Sequence, residues 1–88
     1  MARINSAEPL VVLQQQLSLV LRDIEVDARK IAKQREIIAR LDAGGRDISG
    51  ALGMLAILER EHALNIASHR RITRKLTART DTLPAAEA

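Results

Sequence analysis

The stretch Ile37-Ile38-Ala39-Arg40-Leu41-Asp42-Ala43-Gly44-Gly45-Arg46-Asp47-Ile48-Ser49 decides the fold. Helical periodicity runs into it and out of it, and Gly44-Gly45 is the one strong break between, because glycine is the usual residue at a helix C-terminus. Asp47 or Ser49 can then cap a second helix. Two helices of similar length joined by a few residues fold back antiparallel. The chain therefore reads as an all-α, antiparallel two-helix hairpin with helices over about 7–43 and 48–79.

Upstream of the break, Leu10, Leu17, Ile24, Ile31 and Ile38 recur every seven residues, and Leu13, Val20 and Leu41 fall three residues further on. This is an a/d heptad over about five repeats, a pattern strands cannot produce. Ser6 is the expected N-cap, with Pro9 tolerated in a first turn whose N–H groups have no partner. Downstream, the stripe is Ile48, Leu52, Leu55, Leu58, His62, Ile66, His69, Ile72 or Thr73, and Leu76. Setting Leu41 level with Ile48 pairs Ile38 with Leu52, Gln34 with Leu55, Asp27 with His62, Val20 with His69 and Leu13 with Leu76. The seam is aliphatic at both ends and polar in the middle. Residues 1–6 read as a flexible leader, 7–80 as the hairpin and 81–88 as a disordered tail.

The 88 residues are 47% apolar and 28% charged, with no aromatic residue and no cysteine. One small domain fits that length. The lack of cysteine excludes a disulfide-stapled secreted module and suits a reducing cytoplasm. Neither Leu10–Leu13 nor Ala51–Leu58 is long enough for a signal peptide or a membrane span, so no membrane partner is expected. There is no Gly-rich phosphate loop, nucleophile elbow or Ser–His–Asp set, and the chain reads as a non-enzyme without cofactor. Arg22, Arg29, Lys33, Arg35 and Arg40 fall mostly off the seam, unlike the cationic bundle cores of helical chorismate mutases.

Apolar residues also lie off the seam. Val12, Leu19 and Val26 recur by sevens on another face of the first helix, and Met54, Ile57 and Leu64, spaced by three and then seven, share a face of the second. A lone hairpin has a thin core, and such a patch marks an interface. The expected partner is a second copy, two hairpins making a four-helix bundle, with another helical protein as the rival.

Two constellations point elsewhere. Glu59 and His62 form a Glu-x-x-His, with Asp27 expected level with them. Doubled in a dimer, this resembles the carboxylate-bridged metal sites of encapsulated ferritins and other ferritin-like half-bundles. The resemblance departs where such sites carry glutamate rather than Asp27, and where they have aromatic neighbours. A plainer account is an Asp27–His62 hydrogen bond that fixes the hairpin register. His69, seven residues on from His62, cannot share an ion with it. The other constellation is residues 69–80, which hold Arg70, Arg71, Arg74, Lys75 and Arg79 and no acid. That run accounts for the excess in a chain of net charge +3. Contact with nucleic-acid phosphates is one reading, and complementation of the helix dipole by solvated cations is the other.

Residues 33–41, the turn Gly45-Arg46-Asp47-Ile48-Ser49-Gly50-Ala51, and Leu55, Glu59, Ala63-Leu64 and Arg70 resemble a group of short, uncharacterised proteobacterial proteins of helical-hairpin type. The resemblance covers about residues 30–72. Members often show Gln at the position of His62 and His at that of Asn65, which weakens the metal reading. The resemblance implies the fold and a bacterial origin. It implies no activity.

Overall fold

The computed structural model describes residues 8–81 as two long helices, α1 (Leu10–Ala43) and α2 (Ser49–Asp81), packed against each other along their length. The leader assigned to residues 1–6, with Ser6 as cap, lies outside the described residues. So does the tail from residue 82 onward.

α1 starts at Leu10, the first residue of the heptad and three residues later than a cap at Ser6 implied. Pro9 occupies the N-cap position with φ −58° and ψ 143° and supplies no side-chain cap. The residue before a proline is driven out of the helical region by contact with the ring. Glu8 therefore stays outside the helix, which begins beyond Pro9. The first turn is closed by the Pro9 carbonyl, which accepts from Val12 and Leu13 N–H.

The turn between the helices is a Schellman motif. Gly45 N–H donates to the Asp42 carbonyl at 3.0 Å and Arg46 N–H to that of Leu41 at 2.8 Å. Gly45 sits at φ +72°, the left-handed position this motif requires, whereas Gly44 stays at φ −85°. The break is thus one conformational glycine followed by an anchored loop. On the far side, Asp47 Oδ1 accepts from Ser49 N–H at 3.0 Å and from Ser49 Oγ at 2.5 Å. Of the two cap candidates, Asp47 does the work, through an Asx turn that sets the start of α2. α2 then runs to Asp81, two residues past the expected end.

The seam is narrow. Leu13, Val20, Ile31 and Ile72 are the buried apolar side chains among the described residues, and Asp27 is buried with them at 8% exposure. On α1 this is the expected heptad, with Leu13, Val20 and Asp27 spaced by sevens. On α2 the expected stripe is half-buried or buried at Ile48, Leu55, Leu58, His62, Ile66, His69, Ile72 and Leu76, and departs at Leu52. Leu52, expected opposite Ile38, is 46% exposed. Ala51 takes the seam position instead, half-buried, and its carbonyl accepts from Gln34 Nε2 at 2.9 Å. Counting back by sevens from Ile72 gives Asn65, Leu58 and Ala51, each half-buried, and this row faces α1 beside the row of His62.

Candidate functional site

Midway along the seam, Asp27 faces α2 with its carboxylate nearly enclosed. Its Oδ2 accepts from Asn65 Nδ2 at 2.6 Å. His62 Nδ1 stands 3.8 Å from the same oxygen, beyond hydrogen-bond range. That nitrogen is buried and has no hydrogen-bond partner among the described residues. The expected Asp27–His62 hydrogen bond is thus replaced by Asp27–Asn65, one turn further along α2. Asn65 wins because it lies in the heptad row of Ile72, whereas His62 belongs to the neighbouring row. A search for apolar and titratable residues passes over it. Spacing alone would have found it.

Beside this centre a groove of about 410 Å³ is lined by Ala28, Ile31, Arg35, Glu59 and His62. Glu59 turns to Arg35, with Oε2 and the guanidinium 3.0 Å apart on an exposed surface. Glu59, His62 and Asp27 were the carboxylate–imidazole set of the metal reading. Among the described residues no three His, Asp or Glu side chains lie close enough to hold a metal ion. Within one hairpin the set is not assembled, because the Glu-x-x-His spacing puts Glu59 toward Arg35 while Asp27 is taken by Asn65.

The off-seam aliphatics are where the heptad arithmetic places them. Leu19 is 60%, Met54 47%, Ile57 55% and Leu64 62% exposed, while Val12 and Val26 are half-buried. Ile37, Met54 and Leu58 line a second groove of about 330 Å³ with Lys30, Lys33 and Gln34, so the two helices contribute apolar groups to one broad side of the rod. Leu10, Val11 and Leu21 are further exposed aliphatics of α1.

At the open end of the rod the basic run is only partly solvated. Lys75 Nζ donates to Glu8 Oε1 at 2.9 Å, Gln16 Nε2 reaches Glu8 Oε2 at 3.4 Å, and the Arg79 guanidinium donates to the Glu8 carbonyl. The Lys75 hydrogen bond holds the Glu8 carboxyl below its ordinary range, against a smaller opposing effect of desolvation. Arg71 donates to Ser68 Oγ at 3.1 Å, and Arg70 and Arg74 are exposed. Glu8 therefore clasps the end of α2 to the start of α1, across 67 residues of sequence.

No helix among the described residues is long and apolar enough to cross a membrane. No family model, curated protein or solved structure matches the chain. Fold and site define its class from within: an antiparallel helical hairpin with a polar centre, an apolar side and a basic open end.

Proposed function

We propose that the chain is a self-associating helical scaffold, two hairpins pairing into a four-helix bundle through Val12, Leu19, Val26, Met54, Ile57 and Leu64. One observation carries this reading. Leu19, Met54, Ile57 and Leu64 are each about half exposed or more, in a hairpin whose seam, among the described residues, buries four apolar side chains. A core that small leaves little margin over the entropy of ordering two helices, and a second copy adds burial without new sequence. A symmetric pair needs one self-complementary patch, and a side to which both helices contribute exposed aliphatics meets that requirement.

Sedimentation at micromolar concentration tests it. The expected result is a species of twice the 9.7 kDa chain mass. Leu19→Glu with Leu64→Glu should return the protein to a single-chain species, because charge buried at a bundle interface is costly. A wild-type chain that sediments as one copy throughout would reject self-association.

A further inference from the structure

We propose that the basic end of α2 docks in the major groove of double-stranded DNA, and that Glu8 is an intramolecular competitor for that site. Charge segregation along the rod comes first. Residues 22–67 hold eight basic and eight acidic side chains, and residues 9–21 of α1 hold none of either sign. The five cations of residues 70–79 therefore stand at an end where the flanking helix neither neutralises nor repels an anion. The acids at this end, among the described residues, are Glu8 and the terminal Asp81 of α2.

Helical geometry then selects the partner. At about 100° per residue, Arg70, Arg74, Arg71 and Lys75 follow one another over about 140° of the circumference of α2, outside the seam, while Arg79, seven residues beyond Ile72, lies in the row that faces α1. The run from Arg70 to Arg79 spans about 14 Å of axis. A flat lipid surface meets only part of such an arc. A groove with a phosphate wall on either side meets all of it, and the B-form major groove, about 12 Å wide, admits one helix. Duplex RNA has a major groove too deep and narrow for this. Single strands are held largely by aromatic stacking, and this chain has no aromatic residue. Contacts to phosphate position the protein without reading sequence, so binding is expected to be sequence-tolerant.

Glu8 shows that this end accepts anionic oxygen. Its carboxylate receives Lys75 and its carbonyl receives Arg79, occupying two of the five cations from within the chain. A phosphate wall must displace that carboxylate from Lys75. The clasp thereby weakens docking.

The test is fluorescence anisotropy of a labelled duplex titrated with the full chain at low and moderate salt, with helicity of every variant checked by circular dichroism. Contact with about four phosphates predicts a log–log salt slope of about −3.6, or roughly 150-fold weaker binding for a fourfold rise in salt. Arg70→Ala with Arg74→Ala should reduce the slope by about two and weaken binding at least about tenfold. Arg70→Lys with Arg74→Lys should retain it, since both keep the charge. Glu8→Gln should bind more tightly than wild type. The proposal is overturned by no duplex binding at low salt. Single strands or phosphatidylglycerol vesicles bound as tightly as duplex would overturn it too, as would a Glu8→Gln variant no tighter than wild type.

Discussion

Asn65 donates a 2.6 Å hydrogen bond to Asp27 across the seam, and that single neutral donor supports a carboxylate that is 8% exposed. Removing it leaves a buried acceptor with no partner, a loss of roughly 1.5–3 kcal/mol where the group is charged. Asn65→Ala should accordingly lower the urea midpoint followed by ellipticity at 222 nm, with the denaturant slope unchanged. Replacing both residues, Asp27→Leu with Asn65→Leu, should recover most of that loss or exceed it, because a paired polar couple is often no better than an apolar one of similar volume. A double variant as unstable as the single one would show that the pair is required for the fold itself.

His62 sits beside that pair with a buried nitrogen that bonds to nothing among the described residues. An unsatisfied buried polar atom costs about 1–3 kcal/mol. His62→Leu removes the atom while filling similar space, so a gain of about 1 kcal/mol in urea unfolding is expected. If His62 instead held an ion or a partner in solution, the same substitution would destabilise.

The two glycines of the turn are not equivalent. Gly45 adopts φ +72°, where a side chain is strained even though a Cβ would meet no atom within 4 Å. Gly45→Ala should cost about 1–2 kcal/mol through backbone strain alone. Gly44 is at φ −85°, and a Cβ there makes only an ordinary 3.5 Å contact with the Arg40 carbonyl oxygen. Gly44→Ala is expected to be neutral or to add about 0.4–1 kcal/mol by restricting the unfolded chain. Gly53 is a third case. It lies within α2 with open space around a Cβ, so close helix approach is not its role in the hairpin. Gly53→Ala should stabilise by about 1 kcal/mol, the difference in helix propensity.

What could be read in advance follows from which interactions are local. The hairpin was legible because a Schellman glycine, an Asp47 turn and a heptad each act over a few residues. The start of α1 falls after Pro9 because the proline ring restricts Glu8, a local rule that outweighs the capping preference of Ser6. Asn65 was missed because it is neither apolar nor titratable, although its distance of seven from Ile72 marks its row. Leu52 was placed on the seam for its hydrophobicity when Ala51 held the right phase. The Glu8 clasp lay beyond sequence reasoning, since it depends on how far each helix runs after the turn sets their register.

Two carboxylates set the acid side of the stability profile. The hydrogen bond from Lys75 holds Glu8 below the ordinary glutamate value of 4.5. The Ser49 hydroxyl and backbone N–H hold Asp47 below 3.8. In both cases the folded chain binds the proton less readily than the unfolded chain. Each group therefore contributes stability above its unfolded value and loses it as pH falls through the lowered folded value. Stability should be insensitive to these two groups at neutral pH and should decline from about pH 4.5 downward, first through Glu8 and then through Asp47. Urea midpoints measured from about pH 6 to about pH 3 provide the check. Glu8→Gln should flatten the upper part of the decline and Asp47→Asn the lower part. Because Glu8 joins the start of α1 to the end of α2 at the open end of the rod, its protonation should also raise the amide exchange of residues 10–13 and 75–79 ahead of the rest. An acid transition in which those segments open together with the turn would mean that the clasp adds nothing local.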